Sequence, residues 1–150
     1  MLLKDEVELL RQVPMFAGID PSKLKLLAFT SERMTFEPGQ VLFEQGDTGD
    51  SAYLVLKGKA EILVKRKSSS IKVAEVPANG IIGEIAILCD VPRTATVRAM
   101  EKLDTLRIAK DHFLRMLAEY PDMAIQIMRV LADRLSKTTA ELSDARAKSA

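Results

Sequence analysis

The sequence predicts an α+β domain in which short antiparallel strands form a barrel or jelly roll between flanking helices. Residues 34–109 contain short apolar runs separated by turns rich in glycine, proline and serine, a pattern typical of strands. Helical spacing of apolar residues is found in residues 1–33 and returns in residues 110–150. The length of 150 residues and the 47% hydrophobic content favour one domain, residues 1–150, with its own core.

Two short helices are predicted in the N-terminal segment. The first spans residues 4–13 and is ended by Pro14, after which Met15 is an apolar anchor. Asp20 is expected to cap the second helix, with Pro21 at its first position, where proline is favoured. We assign both helices to packing alone.

The central region changes to strand periodicity. Glu37–Gln40 predicts a type II turn, because proline and glycine occupy its two central positions. Strands are predicted at 41–43, 52–56, 60–64, 73–76, 95–99 and 103–108. Residues 65–72 carry four basic residues and three serines and are interpreted as an exposed hairpin tip; phosphate binding there is the less favoured alternative.

The stretch from Ile82 to Val97 combines the parts of an anion site. Gly83 allows a sharp turn and close approach of a ligand, and the helical turn after it has amides without internal partners. Arg93 can bind a phosphate through two parallel hydrogen bonds. Glu84 accepts hydrogen bonds when ionised, so it suits the hydroxyls of an attached sugar.

This stretch resembles the phosphate-binding cassette of the cyclic nucleotide-binding domain family. The family pattern Phe-Gly-Glu-Leu-Ala-Leu, followed after a gap by Pro-Arg-x-Ala-Thr-Val, stands here as Ile-Gly-Glu-Ile-Ala-Ile and Pro-Arg-Thr-Ala-Thr-Val. The resemblance covers residues 10–142 and implies an eight-stranded jelly roll over 34–109, with the cassette at 82–97. It implies that the ligand-binding residues include Gly83, Glu84, Ile85, Ala86, Arg93, Thr94 and Ala95.

Two helices are predicted at the C-terminal end. The first starts at Lys110, and Tyr120-Pro121 interrupts it. A longer helix follows from Asp122 to about Arg146. Its apolar and small side chains recur at steps of four and three, which predicts a heptad seam. A homodimer through this seam is favoured over a helix that packs only on its own barrel. The seam consists of Ala124, Met128, Leu131, Leu135, Thr138 and Leu142.

The long helix also bears on the identity of the base. Its segment from Arg134 to Thr139 is similar to the Arg-Leu-x-x-Thr-Ser segment of the catabolite activator branch of the family. The resemblance implies that Thr138 contacts adenine within its own subunit and Thr139 in the partner. Thr94 offers a hydroxyl that can contact the guanine amino group. In the family a threonine there accompanies cGMP preference in one kinase branch, and it also occurs in channels that respond to cAMP. We favour cAMP over cGMP and expect the long helix to act as a lid.

Composition excludes several other classes. One cysteine, Cys89, excludes a disulfide framework and iron–sulfur ligation, and we expect it to be a buried thiol. One histidine, His112, excludes a histidine metal cluster and a nucleophilic triad, so no metal and no enzymatic activity are expected. A net charge of +1 supplies no field for nucleic acid. No apolar run is long enough to cross a bilayer, and a cytoplasmic location is expected.

Three functional classes stay open. The chain is a stand-alone receptor that dimerises and regulates an unidentified protein effector, the sensory domain of a transcription regulator, or a domain of a kinase or channel. After the long helix the sequence contains only Ala147–Ala150, so no DNA-binding element is visible. In each class the ligand is a cyclic nucleotide.

Overall fold

The computed structural model describes residues 3–13, 16 and 18–149; Pro14 and Met15, with the roles predicted for them, lie outside these residues. The helices are α1 (Leu3–Arg11), α2 (Pro21–Thr30), α3 (Glu84–Cys89), α4 (Lys110–Glu119) and α5 (Pro121–Ser149). The strands are β1 (Glu32–Phe36), β2 (Val41–Phe43), β3 (Ser51–Lys57), β4 (Ala60–Arg66), β5 (Ser69–Val76), β6 (Ile81–Ile82), β7 (Thr96–Ala99) and β8 (Leu103–Ala109).

The eight strands form two four-stranded sheets. Their orders are β1-β8-β3-β6 and β2-β7-β4-β5, and every strand pair is antiparallel. Helices precede and follow the strands in the chain. The predicted α+β class with eight antiparallel strands is therefore confirmed.

Strand β3 lies between two hydrophobic cores. Successive side chains of a strand point to opposite faces of its sheet. Tyr53 and Val55 belong to one core, which contains residues of both sheets. Leu54 and Leu56 belong to the other, which contains helix residues such as Phe113. The sheet that carries β3 is thus covered on both faces, so β3 is buried from Ser51 to Leu56.

The turn after β1 has the predicted type. The amide of Gln40 donates to the carbonyl of Glu37 at 3.0 Å, and Gly39 adopts φ +85°. A positive φ at the third residue defines a type II turn.

The basic hairpin tip is shorter than predicted. Strand β4 continues to Arg66 and β5 begins at Ser69, so the turn consists of Lys67 and Ser68. Side chains 65–72 are exposed, as expected. This stretch is mostly polar and shows no apolar alternation, although its backbone pairs. The predicted strands therefore ended too early in β4 and began too late in β5.

Helix α2 starts where the sequence predicts, with Asp20 at the N-cap position and Pro21 following. The Asp20 side chain makes no capping hydrogen bond, so the cap it was expected to provide is not formed by its carboxylate.

Helix α5 has 29 residues and is about 43 Å long. Its first turns are anchored in the core by Met123 and Ile127. Further along, several apolar side chains of the predicted seam are exposed to solvent. These are Met128 (60%), Leu135 (68%) and Leu142 (53%).

Candidate functional site

The cassette begins with a left-handed glycine. Gly83 follows strand β6 at φ +85° and is the N-cap of α3. A Cβ atom at this position would lie 2.4 Å from the Nη1 atom of Arg93. Glycine is therefore required at this position for two reasons, the backbone conformation and the close approach of the guanidinium.

Arg93 is a buried cation held by backbone carbonyls. The residue is 4% exposed. Its Nη1 donates to the carbonyl of Gly83 at 2.9 Å, and its Nη2 donates to that of Ser51 at 2.7 Å. The Asp50 carboxylate lies 4.0 Å from Nη2. Burial lowers the pKa of the Arg93 guanidinium from its ordinary value, although nearby Tyr53 and Asp50 act in the opposite direction.

One nitrogen of the Arg93 side chain is left without a partner among the described residues. Its Nε is buried and has no hydrogen-bond partner in the described structure. A buried unpaired donor on a cation is costly, so such a group is a candidate for binding an acceptor from outside the protein.

The loop before β3 fixes the backbone at Arg93. The amide of Gly46 donates to the carbonyl of Arg93, and the amide of Arg93 donates to the carbonyl of Asp47, each at 2.8 Å. The same loop lies tightly against α3, since a Cβ atom on Gly49 would be 2.4 Å from that of Ala86. The arginine and the cassette helix are thus held to one loop.

Glu84 is the buried acid of the site and is 2% exposed. Its Oε1 accepts a hydrogen bond of 2.6 Å from Nη1 of Arg134, whose Nη2 donates to the carbonyl of Ile81 at 3.0 Å. Burial raises the pKa of the Glu84 carboxyl above its usual value of 4.5, and the charge of Arg134 partly offsets this effect. The pair connects the cassette directly to α5.

A cavity of about 70 Å³ lies between these groups. Seven predicted site residues line it: Gly83, Glu84, Ile85, Ala86, Arg93, Thr94 and Ala95. Thr138 and Thr139 do not line it; both are exposed on α5, one turn and more beyond Arg134. Their predicted contacts with the base stay predictions.

Five residues that line the cavity were not predicted as site residues: Phe43, Ile62, Ile82, Val97 and Arg134. Two of them contact its charged groups. Phe43 lies beneath Arg93, with the Cζ atom of the arginine 4.0 Å from the ring centroid. Arg134 lines the cavity through its pair with Glu84. A weak signal for Arg134 existed, because it precedes Thr138 by one helical turn and therefore lies on the same face of α5.

Cys89 is exposed, so the expectation of a buried thiol is wrong. Helix α3 buries Glu84, Ala86 and Ile87, which leaves its last residue outside the core.

Among the described residues, no group of three or more potential metal-ligating side chains is found. None of the helices formed by the described residues is long and apolar enough to cross a membrane.

Two antiparallel sheets thus hold a buried arginine, a buried glutamate and a left-handed glycine around one cavity. Residues 33–120 match the cyclic nucleotide-binding domain family, and the chain belongs to that family.

The chain is similar to proteins of several organisms. It is 36% identical over 113 residues to a cAMP-dependent protein kinase regulatory subunit of Yarrowia lipolytica, and the match covers 75% of this chain and 30% of that protein. It is 26% identical over 138 residues to a CRP-like cAMP-activated global transcriptional regulator of Mycobacterium tuberculosis, covering 91% and 62%. The solved structure of a mutant cAMP-binding acyltransferase of Mycobacterium smegmatis is 32% identical with a TM-score of 0.78, covering 91% and 42%.

The chain therefore spans between about a third and two thirds of the length of these relatives. The family membership of this chain rests on the cyclic nucleotide-binding domain, which the family model matches at residues 33–120.

Proposed function

We propose that this domain is a receptor for a cyclic nucleotide, with cAMP favoured, and that it passes the binding event to a partner through α5. The observation that supports this most strongly is the state of Arg93. A guanidinium that is 4% exposed, held by two carbonyls and left with a free Nε donor suits a singly charged cyclic phosphate. The jelly-roll topology that we assign is supported by the strand orders β1-β8-β3-β6 and β2-β7-β4-β5.

Glu84 is proposed to accept a hydrogen bond from the ribose 2′-hydroxyl. Ile85, Ala86, Thr94 and Ala95 are proposed to surround the cyclic phosphate and sugar. Support comes from their common position on the wall of one cavity. Pockets that enclose small-molecule ligands are about 300–1,000 Å³, and we propose that this cavity of about 70 Å³ widens when a nucleotide binds.

The Glu84–Arg134 pair is proposed to couple this widening to α5. We propose that the ribose hydroxyl competes with Arg134 by displacing its guanidinium from Oε1 of Glu84, which accepts its hydrogen bond in the structure. A ligand shifts an equilibrium only by its differential contacts in the two states, and this competition supplies such a difference. Ligand binding is therefore expected to change the position of α5.

A second copy of the chain is the proposed partner of the exposed seam. Met128, Leu135 and Leu142 are each more than half exposed and recur at heptad spacing. In that arrangement Thr138 and Thr139, one from each subunit, are proposed to close over adenine. The protein effector remains unspecified, and the cytoplasmic location remains a prediction.

The alternative ligand is cGMP. Thr94 lines the cavity, whereas Thr138 and Thr139 do not, which favours the guanine contact in the arrangement described. A further alternative is that the domain is the sensor of a longer regulator, kinase or channel, since its relatives extend beyond the matched region.

A calorimetric titration of the chain with cAMP, cGMP, 2′-deoxy-cAMP and linear AMP tests the proposal. We expect cAMP to bind most tightly, cGMP to follow, and 2′-deoxy-cAMP to lose about 1.5–3 kcal/mol, which is typical of one hydrogen bond to a charged group. Equal binding of linear AMP would contradict recognition of a cyclic phosphate, and tighter binding of cGMP would replace cAMP with the alternative.

A further inference from the structure

Phe43, the last residue of β2, covers one face of the Arg93 guanidinium. The Cζ atom of Arg93 lies 4.0 Å from the ring centroid. The ring is itself fixed, because it packs on Tyr53 at a centroid distance of 6.0 Å, and Tyr53 makes an edge contact of 6.2 Å with Phe36. A chain of three aromatic rings from the inter-sheet core therefore ends against the cation.

The stack and the backbone bonds constrain different motions of the guanidinium. The bonds from Nη1 to Gly83 and from Nη2 to Ser51 fix its rotation within its plane. The ring restrains the guanidinium from one side, since an aromatic face attracts a cation that lies over it. Nε, which has no partner within the described structure, then keeps one direction.

Resting on the proposed cyclic nucleotide function, we infer that Phe43 is a positioning residue for phosphate recognition. It holds the Arg93 guanidinium in the plane in which Nε and the phosphate oxygens of the ligand meet. Both residues line the same cavity, so the contact lies beside the ligand. A bidentate or edge-on contact with phosphate depends on the guanidinium plane, which gives the stack its effect on affinity.

The matched variants are Phe43→Leu and Phe43→Tyr. Leucine keeps an apolar side chain and removes the π face, whereas tyrosine keeps the face. Cation–π contacts of desolvated groups predict that Phe43→Leu weakens cAMP binding about 5- to 30-fold. Phe43→Tyr is expected to stay within about threefold of wild type.

Comparing cAMP with adenosine separates positioning from plain packing. Adenosine has the base and ribose but no phosphate, so it does not use Arg93. If Phe43 acts through the guanidinium, Phe43→Leu weakens cAMP and leaves the weaker adenosine binding unchanged, as measured by chemical-shift titration. An equal loss for both ligands would overturn the inference and make Phe43 an apolar wall.

The contact between Phe43 and Arg93 can be tested by NMR on the wild type alone, without a ligand and without a variant. The ring current of Phe43 should move the Arg93 Nε proton of the wild type upfield of the other arginine signals. A signal without that shift would overturn the stacking itself. A wild type that shows the shift but binds no cyclic nucleotide would overturn the proposed function, and the phosphate role of Phe43 with it.

Discussion

The most informative contact to remove by mutation is the Glu84–Arg134 pair. We consider Arg134→Met, which keeps a long flexible side chain and removes the charge. Glu84 is 2% exposed and would lose a 2.6 Å charge-assisted hydrogen bond, while the carbonyl of Ile81 would lose its donor. A hydrogen bond to a charged group contributes about 1.5–3 kcal/mol, and breaking a fully buried ion pair costs about 3–5 kcal/mol.

The expected loss of unfolding free energy lies below the range of about 3–5 kcal/mol for a fully buried ion pair. The Arg134 side chain is 32% exposed, so solvent screens part of the attraction. Glu84 can also take up a proton, which avoids leaving an unpaired buried charge. We therefore expect a destabilisation of about 1.5–3 kcal/mol at neutral pH, the range for one hydrogen bond to a charged group.

Urea unfolding of wild type, Arg134→Met, Glu84→Gln and the double variant measures the coupling. We expect the double variant to lose at least about 1 kcal/mol less than the sum of the single losses. The control is Arg129→Met, an exposed position on the same helix, which should change stability by less than about 0.5 kcal/mol. Additive single losses, or an Arg134→Met variant as stable as the control, would refute the pairing.

Three more predictions concern the same site and helix. Gly83→Ala should abolish most ligand affinity, because its Cβ would meet Arg93. The control in thermal unfolding and titration is Gly39→Ala, since Gly39 has the same φ of +85° but a Cβ there would have no atom within 4 Å. Equal losses of affinity in the two variants would contradict the clash. Leu135→Asp should shift a dimer to monomer in sedimentation equilibrium, since it places a charge in the proposed seam. A wild type that is monomeric would contradict the proposed seam. Because burial raises the pKa of Glu84 above 4.5, the folded domain retains a proton that the unfolded chain releases, so stability falls as pH rises through that window. Glu84→Gln should therefore gain stability relative to wild type as pH rises from about 4, and a pH-independent difference in urea unfolding would contradict the raised pKa.

The cassette was predictable because its parts are close in sequence. Gly83, Glu84 and Arg93 lie within eleven residues, and each has a chemical property that its type reveals directly. The structure places all three on one cavity. What the residue types did not reveal is that the Arg93 side chain is bound by the carbonyls of Gly83 and Ser51, since backbone acceptors have no sequence signature.

Phe43 and Arg134 lie outside what local patterns can identify. Arg134 is 50 residues from Glu84, and only the packing of α5 brings the two side chains together. Phe43 ends a short apolar strand, where its pattern is the same whether it fills a core or stacks on a cation. Strand β1 was also not assigned, because most of its residues are exposed or half-buried and show no clean alternation.

The central claim is that Arg93 binds the phosphate of a cyclic nucleotide. Calorimetric titration of cAMP into Arg93→Ala tests it most directly, with Arg98→Ala as the control, since Arg98 is an exposed β7 arginine that pairs with Glu61. Loss of a desolvated charge contact predicts about 2–5 kcal/mol, or about 30- to 3,000-fold weaker binding, for Arg93→Ala and no more than about twofold for Arg98→Ala. Equal cAMP affinity of the two folded variants would contradict the claim.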